Sequence, residues 1–486
     1  MAKTNLRERT ISAMIWSSMG TFGTTIVNFV SNMVLARLLM PEDFGCIGML
    51  QIFISVGDTF VTAGFGQALI QKKNPTHLDY STVFIWNMVA SVVLYFILFI
   101  SAPAIGAFYK MPLLCSVLRV QSLNLILFAF IVVQNNQMRK LLMFKELSIR
   151  NIVAALSGTV VAVIMALFGF GVWSLVASSL VSGIASIFLL WNMSSWRPSL
   201  EFSWKSFREL FSFGGLIAIS TIVEKVYNNI QGVIIGRWYS AIDMGYYSQA
   251  AKLEQVPNHA LSQVVSQVSY PVFSQLQDSI PALRQGVRKN IRSLVFINFP
   301  LCLLLFVVAS PLIHLLYGMK WDASIPYFRL LCISGMIYST NAMNNNVVKA
   351  LGKGNVFLFS QLLKRAIGLI LIFIGATKGI YGLLCAVIIS SYLNFIINSV
   401  VNKRLIGYGF VSQIKDIGGT LLVALFSTLI SLFFGYCFSI NQYVLLVIQV
   451  VLFCLSYLFI SLSFKLEAYY TYKSIILDYY IRFTHK

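Results

Sequence analysis

The chain has 486 residues, of which 58% are hydrophobic and only 11% charged. A soluble chain carries about 25% charged residues to stay in solution, so a string of soluble domains of this length is excluded. The formal charge of +20 does not point to nucleic acid either, because the lysines and arginines are spread in small groups between apolar runs.

A bilayer core of about 30 Å takes roughly 20 apolar residues per helix. That ruler predicts spans near 10–37, 44–70, 80–107, 113–137, 148–170 and 172–193, then a polar stretch, Ser194 to Glu209. Spans resume near 210–236, 244–273, 291–317, 324–348, 354–377, 380–402, 417–440 and 442–463. The fold class expected is therefore all-α integral membrane, with about 14 transmembrane helices. The eighth and tenth are polar enough for a hydropathy window to miss. Ser17, Ser18, Gly20 and Thr21 interrupt the first run, which is too long for a signal-peptide core and is expected to be a retained span.

Topology follows from the positive-inside rule. Lys3, Arg7 and Arg9 put the amino terminus in the cytoplasm. Alternate loops agree: Lys72/Lys73, Arg139/Lys140/Lys145/Arg150, Arg197/Lys205/Arg208, Arg284/Arg288/Lys289/Arg292, Lys349/Lys353 and Lys403/Arg404/Lys415 all fall inside. Lys465, Lys473, Arg482 and Lys486 add a cytoplasmic carboxyl terminus. An even number of spans with both ends cytoplasmic is expected, with short loops that leave no external domain.

A weak self-match recurs at an offset of 200 residues: Thr21, Asn28, Arg37, Asp43 and Gly45 reappear as Thr221, Asn228, Arg237, Asp243 and Gly245. At an offset of 208, Asn136, Lys145 and Gly171 align with Asn344, Lys353 and Gly379. Spans 1–6 and 7–12 would then be two parallel six-helix repeats, an arrangement that transporters use. The organisation expected is an N-lobe over 1–193, a cytoplasmic linker over 194–209, a C-lobe over 210–402, and two further helices with a tail over 403–486.

The repeat aligns polar faces. Span 1 carries Ser17, Thr21, Thr24, Asn28 and Ser31 at helical spacing, and span 7 carries Thr221, Glu224, Asn228 and Gln231. Span 2 shows Gly48, Gln51, Ser55, Asp58 and Thr62, and span 8 shows Ser248, Lys252, Gln255, Asn258 and Ser262. Unsatisfied polar groups cost several kcal/mol each in hydrocarbon, so these stripes face each other or a water-filled cavity. Helix-to-helix hydrogen bonding accounts for several of the hydroxyls. It accounts less well for Asp58, Arg119, Glu224, Lys225, Lys252, Glu254, Arg329, Lys364 and Arg365, because ionisable groups at membrane depth are usually kept for function. Lys364 and Arg365 have the alternative of snorkelling to the inner interface. The cavity residues expected are Asn28, Asp58, Arg119, Glu224, Lys225, Asn228, Lys252, Asn258 and Arg329. Cations outnumber acids in these spans, which suits an anionic substrate such as a diphosphate. Asp58, Glu224 or Glu254 could carry a coupling proton.

No enzymatic constellation emerges. The seven cysteines show no CxxC spacing and are expected to be small core residues, and no Cys/His cluster suggests a metal. No cofactor is implied. His314 stands alone near a helix end, where a structural role outweighs a catalytic one. Asp43 and Asp243 are expected to be N-caps of spans 2 and 8. No Walker A pattern occurs.

Three stretches carry a family resemblance: VLARLLMPEDFGCIGMLQIFISVGDTFVTAGFGQALIQKK (34–73), MRKLLMFKELSIRNIVAALSGTVVA (138–162), and GRWYSAIDMGYYSQAAKLEQVPNHALSQVVSQVSYPVFSQLQ (236–277). They resemble the Wzx-type polysaccharide and O-antigen flippases of the multidrug/oligosaccharidyl-lipid/polysaccharide flippase superfamily, in the branch of the colanic acid exporter. The resemblance implies two six-helix lobes around a central cavity, two added helices, and alternating access. It implies a bacterial inner-membrane protein among membrane lipids that delivers an undecaprenyl-diphosphate-linked oligosaccharide to the outer leaflet, where a polysaccharide polymerase would take it. Arg119, Lys225, Lys252 and Arg329 are the positions that would meet the diphosphate. Drug-exporting relatives rely on a carboxylate in the first span, and this chain has no Asp or Glu between Glu8 and Glu42. A cation-coupled drug antiporter on the same fold, a membrane lipid-sugar transferase or acyltransferase, and a lipid II flippase for peptidoglycan are the competing readings.

Overall fold

A computed structural model describes residues 2–438, 441–470 and 472–474. His485, Arg482 and Lys486 lie outside the described residues. Among the described residues the chain is helical, and it forms two compact units, Met1–Gly245 and Tyr246–Lys486.

In the first unit the order is α1 (Ala2–Leu38), α2 (Pro41–Thr62), α3 (Phe65–Gln71), α4 (His77–Phe108), α5 (Leu113–Gln121), α6 (Leu123–Lys140), α7 (Phe144–Leu167), α8 (Val172–Met193) and α9 (Trp204–Trp238). Helix α10 (Ala241–Gln275) begins there and continues into the second unit. That unit adds α11 (Ile280–Val307), α12 (Ala309–Tyr317), a short 3₁₀ turn (Met319–Trp321), α13 (Ser324–Met336), α14 (Tyr338–Ala350), α15 (Gly354–Ala376), α16 (Gly379–Ile406), α17 (Phe410–Cys437) and α18 (Gln442–Ser463).

Helices occupy every segment expected to span the bilayer, and among the described residues eleven stretches are long and apolar enough to cross it. The segments that fall short are those of α1, of α10, and of α13 with α14. Their polar stripes lower the mean hydropathy, not their length. Large side chains such as Phe359, Phe433 and Phe459 are widely exposed along the helices, which water would penalise and lipid does not. The chain is a multi-pass membrane protein.

Prolines do not decide where helices break. Pro103, Pro257, Pro271 and Pro300 all lie inside helices, as membrane helices tolerate when neighbours satisfy the freed carbonyls. The breaks fall instead at Ala63–Gly64, Ser122, Val308 and Ile337. Only Cys46, Cys302 and Cys332 are buried, while Cys385, Cys437 and Cys454 are exposed, so the expectation of core cysteines holds for part of the set. A thiol facing lipid is as well solvated as one in a protein core, which removes the pressure to bury it.

Candidate functional site

In the first unit α2 lies against α9, and α1 against α7. The hydroxyls of the α1 stripe turn inward on their own helix: Thr21 donates to Ser17 O at 2.8 Å and Thr24 to Gly20 O at 2.7 Å. Asn28 stays exposed. Across the α2–α9 face, Asn229 Nδ2 donates to Ser55 Oγ at 3.4 Å. Asp58 is half-buried on α2, and Lys225 stands on α9, the helix packed against it. Glu224, Lys225 and Asn228 are all exposed on α9. The structure therefore brings Asp58 and Lys225 to one helix interface. Arg119 does not join them: its Nε donates to Phe99 O at 3.3 Å and its guanidinium lies 4.4 Å from the Phe99 ring centroid, tying it to α4.

The second unit gathers a buried polar group around α10, α11 and the α13–α14 break. Asn258 is 2% exposed and donates to Glu254 Oε1 at 2.6 Å, one helical turn back. The partner of Glu254 thus lies on its own helix. The fit against α13 is tight, because a Cβ on Gly335 would sit 2.1 Å from Glu254 Oε1. Cys302 Sγ on α11 donates to Asn258 Oδ1 at 3.6 Å. Asn298 Nδ2 donates to Gly335 O at 3.3 Å and Met336 O at 2.7 Å, carbonyls that the helix break leaves open. Lys252 is exposed on α10. Arg329 is half-buried on α13, its guanidinium 5.6 Å from the Phe306 ring centroid. Sequence reasoning missed Asn298, Cys302 and Gly335. The only signal was an Asn just ahead of Pro300 in an otherwise apolar run.

Asp43 and Asp243 are not N-caps. Asp43 stands at the third helical position of α2 and accepts from Met40 N at 2.9 Å. Asp243 accepts from Ser240 Oγ at 2.7 Å, while Ser240 Oγ accepts from Asp243 N and is the cap. The carboxylates act as the reaching-back member of a capping pair, close to the positive helix end. Between these two helix starts lies a reciprocal contact. A Cβ on Gly45 would lie 1.8 Å from Ala241 O, and one on Gly245 would lie 1.9 Å from Pro41 O. Each glycine thus lets the first turn of the other helix come to backbone contact.

The linker after α8 is strapped to the start of α4. Ser199 N donates to Ser81 Oγ at 3.1 Å, Ser203 N to Thr82 Oγ1 at 3.1 Å, and a His77 ring nitrogen bonds Arg197 O at 2.9 Å. Lys72 pairs with Asp79 and Glu209, both at 3.1 Å. Burial alone would lower the Lys72 ammonium, but the Glu209 and Asp79 carboxylates outweigh it and raise it above the ordinary lysine value. His314 is held on both sides, one ring nitrogen on Gln442 Oε1 at 2.6 Å and the other on Asp322.

Residues 34–326 match the family described as polysaccharide biosynthesis protein. The chain belongs to this family. Curated relatives of this chain bear out the resemblance to Wzx-type flippases. The lipopolysaccharide biosynthesis protein WzxC of Escherichia coli (strain K12) is 29% identical over 69% of this chain and 68% of its own length. The succinoglycan biosynthesis transport protein ExoT of Rhizobium meliloti (strain 1021) is 27% identical over 72% and 71%. Among solved structures, the lipid II flippase MurJ in an inward closed conformation shares the fold with a TM-score of 0.76 at 14% identity, covering 93% of this chain and 99% of that one. An inward-facing multidrug resistance MATE transporter aligns with a TM-score of 0.61 at 13% identity, covering 81% and 98%. The family match contains Asp58, Arg119, Glu224, Lys225, Asn228, Lys252, Glu254 and Asn258; Asn28 and Arg329 fall outside it.

Proposed function

We propose that this member of the polysaccharide biosynthesis family is a flippase. It moves an undecaprenyl-diphosphate-linked oligosaccharide from the inner to the outer leaflet of a bacterial inner membrane by alternating access. The observation that carries this reading is the family match over 34–326, which takes in the polar faces of α2, α9 and α10. Fourteen spans in two parallel six-helix repeats around a central cavity, with α17 and α18 added, would hold these faces, and both termini would be cytoplasmic. The reciprocal Gly45 and Gly245 contact supports the repeat, since it relates equivalent residues at an offset of 200. Lys225 and Lys252, both exposed on their helices, would meet the diphosphate through charge-assisted hydrogen bonds. Asn28, Asp58, Asn228, Asn258 and Arg329 would line the path, with Arg119 contributing from the α4 side. Asp58, Glu224 and Glu254 are the carboxylates available for proton coupling. A polymerase would consume the product on the far face.

The MATE-like fold favours a second reading, a cation-coupled drug antiporter. The lack of any Asp or Glu between Glu8 and Glu42 weighs against it. The test is a strain lacking the gene, from which lipid-linked oligosaccharides are recovered and assigned to a leaflet in sealed vesicles. Accumulation on the cytoplasmic face is expected, relieved by the wild type but not by Lys225→Ala or Lys252→Ala. An unchanged distribution with intact surface polysaccharide would overturn the flippase and promote the antiporter.

A further inference from the structure

Among the described residues of the second unit, two groups of cations differ: one is neutralised by carboxylates and the other is not. Arg288 and Arg292 on α11 converge on Asp416 of α17, at 2.7 Å from Arg288 Nε, and Arg292 also meets Glu467. The other group centres on Lys364 of α15, which is 5% exposed. Its Nζ donates to Asn398 Oδ1 of α16 at 2.8 Å and to Asn345 Oδ1 of α14 at 3.2 Å. Asn398 is fixed in turn by donating to Asn341 Oδ1 at 2.8 Å. The charged neighbours of Lys364 include Arg365, next to it on α15, and Lys349 in the last turn of α14, both cations. Among the described residues none of these three is ion-paired with a carboxylate. Snorkelling, the sequence-based alternative, does not describe Lys364: its ammonium is turned into the α14–α15–α16 junction and held there by amide oxygens.

An ammonium has three N–H groups, and two are used. A buried cation with two cationic neighbours and no paired acid leaves positive charge that neutral amide oxygens only partly offset. Lys364 lies ten residues into α15, roughly 15 Å along the helix from the loop that separates it from α14. The basic-residue distribution predicts that this loop is cytoplasmic.

We propose that Lys364, with Lys349 and Arg365 at the rim, binds a phosphate-bearing lipid headgroup from the cytoplasmic leaflet. The third N–H of Lys364 would supply the buried donor. Arg365, which has no ion pair or hydrogen bond among the described residues, would supply a second, and Lys349, exposed near the end of α14, would add its charge. The site is built from α14, α15 and α16 and does not depend on the role proposed for the other polar faces.

The test is native mass spectrometry of the purified full chain with phosphatidylglycerol and phosphatidylcholine supplied equally. The wild type is expected to retain phosphatidylglycerol, and Lys364→Gln to lose about tenfold of that retention, the loss of a charged hydrogen bond. The double variant Lys349→Gln/Arg365→Gln leaves the buried residue in place and is expected to move the same way, so the question stays decidable if Lys364→Gln fails to fold. Added undecaprenyl diphosphate separates the sources: displacement of phosphatidylglycerol assigns the site to a cargo diphosphate, and persistence assigns it to bulk anionic lipid. Wild type with no preference between the two lipids, or variants that retain phosphatidylglycerol as wild type does, would overturn the proposal.

Discussion

Asp416 carries the clearest residue-level consequence. Its side chain is 2% exposed and holds Arg288, Arg292 and the Tyr408 hydroxyl, which donates at 2.8 Å. Breaking a buried charge cluster costs about 3 kcal/mol at the low end of its range, and the half-exposed Arg288 keeps it there. Asp416→Ala should lower the melting temperature of the solubilised protein by several degrees. The exposed neighbour Lys415 should tolerate Ala within about 0.5 kcal/mol. Equal melting of both variants would contradict this. The residues behind the cluster were legible only singly. Arg288, Arg292 and Lys415 were read as topology markers, and nothing in their spacing announced Asp416 as a hub, because its partners come from α11 and the turn before α17. Asn345 and Asn398 were invisible for the same reason: their meaning appears only when three helices meet at Lys364. Polar stripes on one helix, such as Asp58 with Ser55, were legible because periodicity is a local property.

At the scale of elements, the Gly45 and Gly245 contact makes a prediction about coupling. Each alanine pushes a Cβ into the backbone of the other helix, so Gly45→Ala and Gly245→Ala should each cost about 1–3 kcal/mol by overpacking. Because both strain one interface, the double variant should cost clearly less than the sum. Additive losses in thermal unfolding would mean that the two glycines act apart. Helix extents were read well from apolar length, whereas the breaks at Ser122, Val308 and Ile337 carry no Pro or Gly and left no trace in the text. What marks the last of them is Asn298, a distant residue that binds the carbonyls beside it. The linker shows the same division. Its polarity was evident, but its strapping to Ser81 and Thr82 required the fold.

For the molecule as a whole, charge and hydropathy identify a membrane protein, and the segments at 34–73, 138–162 and 236–277 point to the family that residues 34–326 match. The C-terminal helices fit the same account: Tyr457 donates to Phe296 O at 2.8 Å and Tyr472 to Ser293 O at 3.1 Å, docking α18 and the chain after it on α11. The central claim concerns movement of a lipid-linked sugar, and the most direct measurement uses only the purified chain. Reconstituted into liposomes that carry undecaprenyl-diphosphate-linked oligosaccharide in the inner leaflet, the wild type should expose the sugar to an external lectin, and Lys225→Ala should slow that exposure severalfold. Liposomes in which wild type and empty membranes expose the sugar at the same rate would contradict the account.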